Sequence, residues 1–229
     1  MPDRGAFQEM KIFTAEAIGT FFLVFMGCGA IVVNDVYAGV LGHIGISLAF
    51  GIVVMILIYS LGNISGAHFN PAVTIGFFAA GRLKSRLLLT YISSQLTGAV
   101  LGAATLKVLF SGHHNLGTTF PSVHIHQALI VEIVLTFLLM FVILNVSTGH
   151  MEKGIMAGVA IGGTIALAAM VAGPLTGASM NPARSIGPAL MSLQLEYIWL
   201  YIAGPVIGAA AAAPVVCFLQ GRSSDGACR

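Results

Sequence analysis

Charge is what this chain has least of. Only 8% of its 229 residues are Asp, Glu, Lys or Arg, where a soluble domain has about 25%. That scarcity excludes an ordinary water-covered globule, and a net charge of +2 gives no reason to expect nucleic acid as a partner. Cysteine is scarce too. Cys28, Cys217 and Cys228 follow no metal-like spacing, which argues against a disulfide scaffold, and Cys28 and Cys217 fall in apolar stretches where they are expected to pack. No short apolar core with a small-residue cleavage site opens the chain, so no cleavable signal peptide is expected. Nor does any Ser/His, metal-ligand or paired-carboxylate constellation rise above what loops and cores ordinarily carry. The reading is therefore not an enzyme, with no catalytic residue, no metal and no cofactor.

What the chain does have is hydrophobicity, 57% of its residues, gathered in windows at about 12–33, 40–61, 87–110, 128–147, 154–173 and 197–219. Each approaches or exceeds the ~20 residues that cross a bilayer as a helix. The pattern predicts an all-α polytopic membrane protein of six spans. Arg4 and Lys11 precede span one, and Arg82, Lys84 and Arg86 lie between spans two and three. Lys153 separates spans four and five, and Arg222 and Arg229 follow span six. Alternating spans put all of these on one face, with Lys107 on the other, so both termini are expected in the cytoplasm.

One stretch occurs twice. Gly66-Ala67-His68-Phe69-Asn70-Pro71-Ala72 and Gly177-Ala178-Ser179-Met180-Asn181-Pro182-Ala183 share the skeleton Gly-Ala-x-x-Asn-Pro-Ala. Each reads as a helix start, because Asn is a strong N-cap and Pro suits the first helical position. The helices that follow, Ala72 to Ala80 and Ala183 to Met191, would reach roughly half-way across a ~30 Å hydrocarbon core.

The spans repeat as well. Glu16, Thr20, Phe21 and Phe25 recur at one offset as Glu132, Thr136, Phe137 and Phe141. Spans three and six carry Gly98/Gly102 and Gly204/Gly208, spacings that let helices approach closely. An odd number of crossings per copy makes the duplication, about 11–110 and 127–219, an inverted repeat. The two short helices then enter from opposite faces and their Asn-Pro-Ala tips meet near the midplane. The loops leading into them, with His68 in the first, should line a water-filled path, since non-helical backbone survives at that depth only where it is buried or wet. Glu16 and Glu132 are intramembrane carboxyls. A proton relay is one role open to them, and support of the two loops through exposed N–H groups is the reading the symmetry favours.

Two half-helix N-termini bring partial positive charge to the midplane, and Asn70 and Asn181 add amide donors. A neutral hydroxylic molecule can accept those hydrogen bonds, while a cation meets two positive dipole ends. Arg184, three residues past Asn181, adds donors and a charge. Segment 111–127 holds His113, His114, His124 and His126 but no Cys or carboxylate, so it reads as a solvated external loop rather than a metal site. His150 reads as an exposed loop residue, with pH sensing as its other possible role.

Two Asn-Pro-Ala boxes, the arginine after the second, six spans, and a glutamate opening spans one and four resemble the aquaporin (major intrinsic protein) family. The resemblance covers roughly 11–219. It implies a right-handed bundle of six transmembrane helices plus two re-entrant half-helices, forming one channel domain over 1–229. It also implies a pore in every subunit, a homotetramer, and a place in the cell (plasma or inner) membrane. The boxes are then Asn70, Pro71 and Ala72 with Asn181, Pro182 and Ala183. The filter outside them is Phe50, Ala169, Ala178 and Arg184 by the same resemblance. Ala169 stands where water-selective members have His, and Ala178 where some animal members have Cys. Ser185 and the short connection 191–196 depart from the glycerol-channel branch. Tyr201-Ile202 and the run Gly177 to Ser185 look more like the plant nodulin-like intrinsic proteins and their bacterial relatives. The implied function is a passive channel for water and small uncharged solutes, glycerol-like polyols and metalloid hydroxides among them, closed to ions and protons. A strictly water-selective channel is the alternative. An alternating-access transporter also uses inverted repeats, but this chain offers no charged pair suited to coupling an ion.

Overall fold

A computed structural model describes residues 4–147 and 151–221. His150, Cys228, Arg222 and Arg229 lie outside the described residues. Among the described residues eight α-helices follow one another: α1 (Arg4–Val36), α2 (Gly42–Ser65), α3 (Pro71–Ala79), α4 (Leu88–Leu109), α5 (Ile125–Val146), α6 (Met151–Thr176), α7 (Pro182–Ser192) and α8 (Ile198–Gln220). A 3₁₀ turn, Ser85–Leu87, leads into α4. Six of the helices are long and apolar enough to cross a membrane, and α3 and α7, at nine and eleven residues, are not. The six windows read from hydropathy each fall on one of these spans, and the two short helices start at the two prolines.

The distribution of polarity is inverted relative to a soluble protein. Leu101, Ile130, Val171 and Ile207 are exposed on the outer faces of spans, while Glu16, Gln95, Glu132 and Arg184 are buried inside. Lipid gives apolar side chains no reason to turn inward, and it penalises any polar group that turns outward.

The chain packs as two similar halves. Helix α1 lies along α4, α5 lies along α8, and α2 crosses α6 between the halves. The tight contacts are made where a side chain is missing. A Cβ on Gly98 would sit 2.2 Å from the Ala17 carbonyl oxygen, and one on Gly208 would sit 2.3 Å from that of Ile133. Ala17 and Ile133 each follow one of the paired glutamates, so Gly98 and Gly208 are structural equivalents. The sequence pairing of Gly98/Gly102 with Gly204/Gly208 is therefore out of register by one helical turn. Gly204 instead faces the Cβ of Glu132. Phe21 and Phe25 stack on α1 as Phe137 and Phe141 do on α5. Cys28 is a free thiol, buried as expected.

Candidate functional site

Each box is a capped helix start. Asn70 and Asn181 sit in extended backbone, and each side-chain Oδ1 accepts from the two N–H groups that open its helix. For Asn70 these are Ala72 N at 2.8 Å and Val73 N at 3.4 Å; for Asn181 they are Ala183 N at 3.0 Å and Arg184 N at 3.4 Å. Capping fixes which way each amide points, so Nδ2 must face away from its own helix. Asn70 Nδ2 donates to the Met180 carbonyl at 2.7 Å, and Asn181 Nδ2 donates to the Phe69 carbonyl at 2.9 Å. The two tips thus meet and hold each other. Each amide has a second N–H left to donate.

The loops that deliver the boxes are strained in the same places. Gly66 and Gly177 take φ of 85° and 78°, and the next residues, Ala67 and Ala178, take 53° and 43°. Phe69 and Met180 are also left-handed, at 50° and 52°. Such backbone costs about 1–2 kcal/mol per non-glycine residue, so something must hold it. The buried glutamates are placed to do so. Glu16 accepts from His68 N at 3.0 Å, Phe69 N at 2.7 Å and Ser65 Oγ at 2.6 Å. Glu132 accepts from Ser179 N at 2.9 Å, Met180 N at 2.9 Å and Thr176 Oγ1 at 2.8 Å. Tyr91 and Tyr201 donate to the carbonyls of Ser65 and Thr176 respectively.

A cavity of about 120 Å³ runs along this junction, lined by both asparagines, His68, Val73 and Phe77 among others. A second cavity of about 260 Å³, lined by His43, Ser47, Thr118 and Gly177, lies beyond it. Phe50, Ala169 and Arg184 belong to the walls of both, and Ala178 lines the first next to them. Three of the four residues expected to form the filter are thus shared by the two cavities, and the fourth lines one of them. Arg184 is 2% exposed and lies over the Phe50 ring at 4.9 Å. Its Nη1 donates to the Gly117 carbonyl at 2.7 Å, and its Nε is buried with no hydrogen-bond partner among the described residues. His68 stacks between Phe77 and Tyr91, and its Nδ1 is 3.0 Å from Thr74 Oγ1. At the far end Arg82 donates to the Leu144 carbonyl and to Ser147 Oγ, and burial lowers its pKa from the ordinary guanidinium value.

The segment 111–127 is not simply a solvated loop. Leu116 and Thr119 are buried, and Gly117 supplies the carbonyl that holds Arg184. The reason is electrostatic: a buried guanidinium needs acceptors, and the folded-in loop brings one. His124 and His126 do lie ring to ring at 5.8 Å, and among the described residues no group of three potential metal ligands forms there or elsewhere. Sequence reasoning also missed Ser65, Thr176, Tyr91, Tyr201 and Gln95. The first four recur between the halves and could have been found by extending the repeat alignment.

Opposed capped half-helices around a lumen, inside six spans, define a membrane channel. The chain belongs to the major intrinsic protein family, whose pattern matches residues 5–216. It is 48% identical over 200 residues to "Aquaporin NIP1-1" of Zea mays, covering 87% of this chain and 71% of that protein. It is 46% identical to "Nodulin-26" of Glycine max over 87% of this chain and 74% of that one. The fold matches the X-ray structure of the aquaglyceroporin from Plasmodium falciparum with a TM-score of 0.82 at 27% identity, covering 92% of this chain and 98% of that one.

Proposed function

We propose that the chain is a passive channel for water and small uncharged solutes of glycerol size, closed to ions and protons. One observation carries the reading: Phe50, Ala169 and Arg184 line both cavities and Ala178 lines the first, so two of these four side chains are single methyl groups. Two alanines leave room that an imidazole and a thiol would fill, so a polyol fits where a strictly water-selective channel would be narrower. In the first cavity Asn70 and Asn181 offer N–H donors in sequence, which a hydroxyl can accept. The dipoles of α3 and α7 and the guanidinium oppose any cation on the same path. Metalloid hydroxides, neutral and hydroxylated, satisfy the same donors.

Residues 1–229 form one channel domain on this reading, with inverted repeats at about 11–110 and 127–219. Clustering of Arg82, Lys84 and Arg86 on one face supports cytoplasmic termini in a plasma or inner membrane. Similarity to the family supports a homotetramer. Stopped-flow light scattering on proteoliposomes tests the function. Glycerol and water flux well above that of empty vesicles, with no proton entry, is expected; flux equal to empty vesicles would overturn it.

A further inference from the structure

Arg184 lies over the Phe50 ring and donates to the Gly117 carbonyl, and the turn that presents this carbonyl has its own buttress. Asn115 Oδ1 accepts from Gly117 N at 3.0 Å, and the Asn115 carbonyl accepts from Thr118 N and Oγ1 at 2.8 and 2.6 Å. Leu116 and Gly117 both take left-handed backbone, with φ of 50° and 74°. His113 braces the turn from outside. Leu116 N donates to His113 Nδ1 at 3.1 Å, and His113 Nε2 lies 3.3 Å from Asp35 Oδ2 at the end of α1. These two contacts fix the tautomer. A backbone N–H can only donate, so Nδ1 is bare and Nε2 carries the hydrogen that Asp35 receives.

We propose that His113 is a positioning residue for Arg184: its neutral imidazole holds the Leu116–Gly117 turn in place, and protonation releases that hold and lowers solute flux. The proposal rests on the channel reading above. A second proton must go to Nδ1, where it confronts the Leu116 N–H, and two donors cannot share that contact. Asp35 keeps its bond and gains an opposite charge, so the imidazolium stays with α1 while Leu116 is let go. A non-glycine residue in left-handed backbone relaxes once the bond holding it is lost. Gly117, the next residue, moves with it. The guanidinium then loses its acceptor on the wall and turns into the passage between Phe50 and Ala169, where a glycerol-sized solute is hindered more than water.

The charged and titratable groups around His113 are few. Asp35 on α1 is the carboxylate within ion-pair distance among the described residues. Lys107 on α4 is turned away, donating to the Met191 carbonyl at 2.6 Å. Arg184 on α7 is reached only through Gly117. His114 adjoins in the loop, where its carbonyl accepts from Gln194.

The test is glycerol and water flux of the purified full chain in proteoliposomes, from about pH 7.5 to about pH 5. Wild-type glycerol permeability should fall roughly threefold or more across that range, with water falling less. His113→Asn keeps an oxygen near the place of Nδ1 and takes up no proton, so its flux should match wild type at the upper pH and stay flat. His113→Ala should be low throughout and equally flat. Asp35→Asn should move the fall to lower pH, because the charge that favours the imidazolium is gone. A His113→Asn profile that falls like wild type overturns the proposal, and so does a wild type that conducts without any fall. No flux at any pH sinks the channel reading itself, which separates the two failures.

Discussion

On one side of the midplane Glu16 gathers Ser65, His68 and Phe69; on the other Glu132 gathers Thr176, Ser179 and Met180. Ala67 N donates to Ser65 Oγ at 3.1 Å, and Ala178 N donates to Thr176 Oγ1 at 3.1 Å. Nearly every bond that shapes one loop has a counterpart in the other. The linings differ. Where the first half-helix has Val73, the second has Arg184, and where the first loop has His68, the second has Ser179. His68 pairs with Thr74 as Ser179 pairs with Ser185, so even this substitution keeps the local bond while changing what faces the lumen. The matched positions build the two loops, and on the proposed function the unmatched ones are where selectivity is set.

Breaking a matched position should have the largest effect. Glu132→Ala leaves Thr176 Oγ1 and two backbone N–H groups without their acceptor, at about 1–3 kcal/mol for each buried unsatisfied donor. Folded yield should collapse in detergent, and Glu16→Ala should do the same; either variant melting like wild type would show that the cradle is not what holds the loop. Next comes the unmatched Arg184. Arg184→Val makes the outer half resemble the inner one, and proton or ammonium leak measured with a pH-sensitive dye should rise roughly tenfold or more. Narrowing the filter with Ala169→His and Ala178→Cys together should cut glycerol flux roughly tenfold while leaving water within about twofold. Equal losses of both would count against a size filter.

The smallest effect is expected where the halves differ without touching solute. Gln95 Nε2 donates to Glu16 Oε2 at 2.8 Å and Thr74 Oγ1 at 3.0 Å, whereas its own Oε1 is buried without a partner among the described residues. Pro205 occupies the corresponding place on α8, counted from Tyr91 and Tyr201. Gln95→Met gives up two bonds and removes one orphaned oxygen, so a net loss of about 1 kcal/mol or less is expected in thermal melts. A large loss would mean that Glu16 depends on its amide neighbour in a way Glu132 does not.

The features legible in the sequence were those written in side chains that repeat. Asn-Pro-Ala announces a capped helix start by composition alone, and Glu16 and Glu132 stand out because carboxylates in apolar spans are costly. What could not be read was written in backbone. Gly117 acts through its carbonyl, which every residue has, so nothing in 111–127 marked it, and its four histidines without Cys or carboxylate read only as a solvated loop. The register of the glycine contacts was likewise hidden, because Gly204 and Gly208 both satisfy the spacing and only packing shows which faces a carbonyl.

The most direct test of the account is simultaneous glycerol and proton flux through wild type and Arg184→Val in vesicles of one composition. The account predicts that wild type passes glycerol without protons and that the variant passes both. A wild type that leaks protons as freely as the variant, or that passes no glycerol, would contradict it.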